Sequence, residues 1–230
     1  MGSSQGSSQG IVAPVTKDGP KAHSASEERL FRLIEERTQP DADLERIDER
    51  IWDLFGQEWA VMFTDLCGFS RKTAEFGIIH FLQVIWEMRK HLEPVVERHD
   101  GVIVKTEADS QLILFKRPQS ALRCALSMMT TCAQINRRRN PEEQILLGLG
   151  LGFGPILRIG DTDVFGREVN AASKLGEDTA GAGEILVTED FRKAVEGASG
   201  VAFEPLGLEV AGSTTNWRAI EAEPASQRAR

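Results

Sequence analysis

Two stretches, VMFTDLCGFS at residues 61–70 and GVIVKTEADSQLILF at residues 101–115, decide the fold. Each apolar run in them is short, rich in Val, Ile, Leu and Phe, and bounded by polar residues or glycine, so each reads as a strand. Asp65 ends the first run, and Asp109 lies at the junction of two others. Between them lies a long helical pattern that returns the chain antiparallel to the first strand. The strand that follows can then pair beside the first, with its Asp near the same sheet end. Two like charges brought together there are unfavourable unless a cation neutralises them. With a Gly-containing turn opening a helix beside them, the pair points to a divalent-metal and phosphate site. Taken singly, Asp65 also reads as a helix N-cap and Asp109 as a hairpin residue.

Working outward, residues 58–64 form the first strand. Ile78, Phe81, Leu82, Ile85, Leu92 and Val96 mark the long helix, with an interruption or kink expected near Pro94. Residues 102–107 and 111–115 read as a hairpin around Ala108, Asp109 and Ser110. Pro118 opens a second helix with Ala121, Cys124, Ala125, Met128, Cys132 and Ile135 on one face. Residues 145–153 give the next strand. This order is βαββαβ, an α+β, ferredoxin-like arrangement with helices covering one sheet face. C-terminal αβ additions follow: a helix over 167–177, the strand GEILVT, a helix near 189–195 and two short strands ending at 217–220. The run GLGLGFG at 148–154 is not a dinucleotide fingerprint, because Phe153 stands where the third glycine belongs. Alternating glycines in a strand instead permit close approach of another backbone.

Before this core, residues 1–24 are Ser-, Gln-, Gly- and Pro-rich and read as a disordered tail. Residues 25–56 read as two helices, the second capped by Asp41 and ended by Gly56. The main domain then spans 57–222, and 223–230 form a flexible C-terminus. A net charge of −8 argues against general nucleic-acid binding. Arg137, Arg138 and Arg139 read as a solvated helix end. The odd count of three cysteines, Cys67, Cys124 and Cys132, favours reduced thiols in a cytoplasmic protein. The four histidines show no metal-ligand spacing. No apolar run is long enough for a membrane span, and the N-terminus has neither a secretory nor a myristoylation pattern.

The same residues carry a family resemblance. The pattern F-x-D-[IL]-x-G-F-[ST], then K-x-x-[GA]-D before a hydrophobic strand, then DVFGREVNAASK, resembles the class III nucleotidyl cyclases in composition and in order. The resemblance covers roughly residues 57–220. It implies cyclisation of a nucleoside triphosphate, with attack of the ribose 3′ oxygen on the α-phosphorus and pyrophosphate leaving. It assigns Asp65, Leu66 and Asp109 to two divalent ions, Mg²⁺ or Mn²⁺, and the amides of Cys67, Gly68, Phe69 and Ser70 to the phosphates. Lys105 and Asp163 take the base-reading positions, where a lysine favours ATP over GTP. Asn170 is implied to orient the ribose and Lys174 to stabilise the transition state; the two are four apart on a helix and face one way.

Four positions depart from the family pattern. Lys174 stands where an arginine is usual, and a lysine keeps the charge but not the bidentate fork. Ala211 replaces a phosphate-binding lysine, Ala108 a glycine, and the segment between Gly154 and Asp163 is short. In the family one chain supplies the aspartates and the other supplies Lys105, Asp163, Asn170 and Lys174, so a homodimer is implied. The leading expectation is an adenylate cyclase producing 3′,5′-cyclic AMP. The alternative is a non-catalytic cyclase-homology domain serving as a dimerisation or regulatory nucleotide-binding module.

Overall fold

The computed structural model describes residues 24–68 and 75–222. The expected tail up to residue 23, the C-terminus from residue 223, and Phe69 and Ser70 of the phosphate turn lie outside the described residues. Helix α1 (Ala25–Arg37) starts where the Ser24 hydroxyl accepts from the Glu27 amide at 3.2 Å. Helix α2 (Leu44–Phe55) is capped by Asp43 rather than Asp41. Asp43 has the extended backbone a cap needs, and its carboxylate accepts from the Arg46 amide at 3.1 Å, while Asp41 belongs to the preceding turn. The apolar stripe Ile47, Ile51 and Phe55 packs with Leu33 against Ile159, so both helices dock on the main domain.

The chain then forms β1 (Gly56–Leu66), α3 (Ile78–Arg98), β2 (Val102–Glu107), β3 (Ser110–Phe115), α4 (Pro118–Asn136) and β4 (Leu147–Ile159). These strands lie in the order β2-β3-β1-β4 with antiparallel neighbours, the ferredoxin-like core. The strand after α3 is therefore not next to β1, because β3 lies between them. The tight hairpin forces β3 against β2, and β3 is the strand buried almost throughout, while β2 carries charges and takes the edge. Helix α3 runs through Pro94 without interruption.

The sheet continues through β6 (Ile185–Thr188), parallel to β4, then β8 (Asn216–Glu221) and β7 (Val201–Pro205); short β5 (Asp163–Phe165) also pairs with β4. Ala60 and Met62 of β1 point into the main core with Phe81, Met88 and Leu92 of α3, Met128 of α4, and Phe191 of α6 (Glu189–Ala194). Trp59 and Val61 point the other way, where α5 (Arg167–Ser173) contributes Val169 and Ala172. Helices thus cover both faces, not one, although the two helices of the ferredoxin-like unit share a face.

The glycines of β4 explain why α5 sits where it does. Leu147, Leu149 and Leu151 fill the main core, while Gly150 and Gly152 face α5 and the turn after it, and Gly148 faces Ala180 and Cys67. A Cβ at Gly150 would stand 2.1 Å from the Ala172 carbonyl oxygen and 2.3 Å from the Gly176 nitrogen, so backbone meets backbone there. The expected helix over 167–177 ends in a π-helical turn, Lys174–Thr179, with the Ala180 amide bonded to the Leu175 carbonyl at 2.8 Å. Among the described residues no helix is long and apolar enough to cross a membrane.

Candidate active site

Strand register builds the first part of the site. Thr64 pairs with Gln111, so Asp65 falls beside Ser110, on the face opposite the main core. The Ser110 hydroxyl donates to Asp65 Oδ1 at 3.0 Å. The hairpin turns through Ala108 and Asp109, and Ala108 has φ 47°, the left-handed region where glycine is at ease. Arg89 of α3 donates to the Ala108 carbonyl at 2.6 Å and holds the turn. Asp109 is buried there.

Both carboxyls are pushed above the ordinary carboxylate range. Burial raises Asp65 to about 6; the Ser110 hydrogen bond opposes this, and the charges of Asp109 and Glu177 add to it. Asp109 is raised by burial first, offset by hydrogen bonds from its own backbone and that of Leu66, with Glu177 again adding to the rise. Leu66 buries its side chain in the main core, so only its backbone serves the site. A divalent ion would neutralise both carboxylates and offset the burial that raises them, so this donor set fits one. Among the described residues no group of three or more His, Cys, Asp or Glu side chains is arranged to hold a metal. Two carboxylates suit Mg²⁺, which commonly keeps waters and takes phosphate oxygens for its other positions.

The phosphate turn is only partly as expected. Gly68 has φ 84°, which its missing side chain allows. The Cys67 amide, however, donates to the Leu146 carbonyl at 2.8 Å and is not free to cradle a phosphate. This bond extends the β1–β4 ladder by one step. The Cys67 thiol contacts the Ala180 carbonyl at 3.4 Å, and burial raises its pKa. Cys124 and Cys132, pushed up to about 12 by burial, pack in the core as expected. Arg139 is not simply solvated: it pairs with Glu87 and donates to the Glu143 carbonyl at 3.1 Å.

The same sheet face carries a cleft of about 250 Å³ whose lining includes Phe63, Lys105, Glu107, Asp163, Val169 and Glu177. Lys105 pairs across the ladder with Leu112, which faces α5, and Glu107 follows at the same parity. Lys105 Nζ lies 2.8 Å from Glu107 Oε1. Glu107 raises the lysine pKa first, and Asp163 adds to it. The short segment before Asp163 closes as a turn with Gly160 at φ 59°, and Ile159 pairs with Asp163 across it, which brings Asp163 to the cleft.

Asn170 and Lys174 share the exposed side of α5 and its continuation, while Val169, Ala171 and Ala172 are buried. Lys174 Nζ pairs with Asp178 Oδ2 at 2.6 Å, and that contact raises its pKa. The cleft of the same chain meets Ser173 and Glu177 instead. The structure therefore unites Asp65 with Asp109 and Lys105 with Asp163, and leaves Asn170 and Lys174 facing outward. Ser110, Glu107 and Glu177 are site residues that sequence reasoning missed. For the first two the signal was parity: each is two residues from a position already on the cleft face.

Comparison with known proteins identifies the family and the fold. The sequence profile of the family described as "Adenylate and Guanylate cyclase catalytic domain" matches residues 56–215. A Rhizobium meliloti (strain 1021) protein named "Putative adenylate cyclase 3" is 29% identical over 150 residues, 64% of this chain and 25% of that protein. The chain thus spans about a quarter of the length of that relative. A crystal structure of an "Adenylate/Guanylate Cyclase/Hydrolase" from Silicibacter pomeroyi superposes with a TM-score of 0.62 and 27% identity, covering 73% of this chain and 99% of that one. The adenylyl cyclase CyaB from P. aeruginosa shares the fold at a TM-score of 0.61 and 18% identity, over 73% of this chain and 97% of that one.

Proposed function

Because the chain belongs to the family of adenylate and guanylate cyclase catalytic domains, we propose that residues 57–222 form an adenylate cyclase that converts ATP to 3′,5′-cyclic AMP and pyrophosphate. The observation that supports this most is the convergence of Asp65 and Asp109 at one sheet end, on the face that also carries the Lys105–Asp163 cleft. Asp65, Asp109 and the Leu66 backbone would hold two divalent ions, Mg²⁺ or Mn²⁺. Bound there, such ions supply charge neutralisation of the triphosphate and a lowered pKa of the 3′ hydroxyl.

The protein's own residues do the rest. Lys105 donates to adenine N1 and Asp163 accepts from the N6 amine. The Gly68 turn, with Phe69 and Ser70 after it, receives the phosphates. Asn170 orients the ribose, and Lys174 places its charge against the phosphoryl oxygens as negative charge develops there.

Asn170 and Lys174 face away from their own chain's cleft, so the reading needs a second copy. In a two-fold homodimer one chain's aspartates meet the other's Lys105, Asp163, Asn170 and Lys174, and two equivalent sites result. Three free cysteines suit a cytoplasmic setting. Incubation of the purified protein with ATP and Mn²⁺, with cyclic AMP quantified, tests the activity. The pairing of Lys174 with Asp178 supports the second reading, a nucleotide-binding regulatory module without turnover. A folded dimer that binds ATP and forms no cyclic AMP would establish that one.

A further inference from the structure

The cleft holds a charge that the base-reading positions do not account for. Lys105 alone would present a donor to a purine. Glu107 lies two residues along the same strand, on the same face, with its carboxylate 2.8 Å from the lysine ammonium. Asp163 lines the same cleft and acts on the same ammonium. The cleft wall thus offers one donor flanked by two acceptors.

The two purines use this set differently. Adenine presents an acceptor at N1 and donors at N6, which Lys105 and Asp163 satisfy without Glu107. Guanine presents an acceptor at O6 and donors at N1 and N2. Lys105 can serve O6, and a carboxylate can accept from N1–H and N2–H together, the bidentate arrangement that charge-assisted hydrogen bonds favour. An acidic group at the position of Lys105 itself is absent here, but Glu107 brings one to the same place from the next residue of that face. The side chains of Lys105 and Glu107 are 47% and 69% exposed, so their ion pair is weakly held and yields readily to a base.

We infer that Glu107 is a specificity-determining residue that makes the cleft accept guanine as well as adenine nucleotides. This rests on the cleft being the base pocket, as proposed above. In the bound guanine complex the Glu107 carboxylate leaves the lysine and takes the N1 and N2 donors, while Lys105 turns to O6. In the adenine complex the carboxylate stays on Lys105.

Binding of 3′-deoxy-ATP and 3′-deoxy-GTP, which lack the attacking hydroxyl, tests this by titration calorimetry on the full chain with Mn²⁺. The wild-type protein is expected to bind both within about tenfold, and Glu107→Gln to shift the ratio about tenfold against guanine, the loss expected for one aimed charge-assisted contact. A thermal unfolding curve matching wild type confirms that the variant is folded. Binding of the adenine analogue alone by wild type, or a ratio unchanged by Glu107→Gln, overturns the inference and leaves the base pocket standing. Binding of neither analogue by wild type overturns the base pocket and the inference together.

Discussion

Replacing Asp65 by Asn should stabilise the metal-free protein at neutral pH and leave it unchanged in acid. The carboxyl is raised from its ordinary 3.8 to about 6 in the folded chain. A folded state that holds a proton more tightly than the unfolded chain loses stability as pH climbs from the unfolded value through the folded one. Above pH 6 the whole penalty is present; near pH 4 little remains. The full gap corresponds to about 3 kcal/mol. Asp65 is only half-buried, so water screens much of this, and about 1 kcal/mol is a fair expectation. Asparagine keeps the oxygen that accepts from Ser110, so that hydrogen bond survives. For a chain of this size the gain is about 2–4 °C in Tm. Thermal unfolding of both proteins, in chelator, at pH 4.5, 6 and 7.5, reads the effect. The curves should separate as pH rises. Adding Mn²⁺ at pH 7.5 should raise the Tm of wild type and not of the variant. A variant less stable than wild type at pH 7.5, or a gap that does not change with pH, would refute the picture of a buried, repelled carboxylate awaiting a cation.

Three further outcomes are expected. Mixing Asp65→Ala chains with Asn170→Ala chains should restore cyclic AMP formation that neither shows alone, since one site of the mixed dimer is intact; no recovery in a sample containing heterodimer by native mass spectrometry counts against shared sites. Lys174→Arg should raise kcat more than it changes KM, and Lys174→Ala should lower kcat by less than the roughly hundred- to thousandfold that loss of a fully aimed donor costs; an alanine variant equal to wild type would leave Lys174 as a surface residue. Gly150→Ala should cost more than about 2 kcal/mol, seen as a fall in Tm of at least about 4 °C, because its Cβ would press on backbone at 2.1 Å from Ala172 and 2.3 Å from Gly176; an unchanged Tm would mean that α5 is not seated on the glycine stripe.

Short apolar runs and helical spacing were enough to read the βαββαβ order, because β1, β3 and β4 are largely buried and α3 and α4 each carry one apolar stripe. Strand neighbours were less legible. VIVKTE and SQLILF look alike as strand formers, and only the charges of Lys105 and Glu107 mark the first as the edge. The carboxylate pair was legible because Asp65 ends an apolar run and Asp109 sits at the junction of two strands. The fate of the Cys67 amide was not, since nothing local says that β1 and β4 continue their ladder one step into the turn. Asp43 displaced Asp41 as a cap for a similar reason: either composition serves, and the tightness of the turn after Pro40 chooses. Glu107 fell on an unspecified position of the K-x-x-[GA]-D pattern, although its parity with Lys105 put it on the same face.

The placement of the glycines bears on the site as well as on the fold. Helix α5 and the turn after it can lie close on the sheet where Cβ atoms are missing, and Gly150 and Gly152 put that place on β4. Seated there, α5 also packs Val169 and Ala172 against Trp59 and Val61 of β1 and Leu112 of β3, and Lys105 and Asp163 line the cleft left beside it. Asn170 and Lys174 then point outward from α5, away from that cleft. In the homodimer proposed above, the other chain's α5 would supply Asn170 and Lys174 to each site. The Lys174–Asp178 pair does not obstruct this. Its side chains are 52% and 58% exposed, so water screens the pair and it yields readily. The charge of an arriving triphosphate exceeds what that contact can hold back.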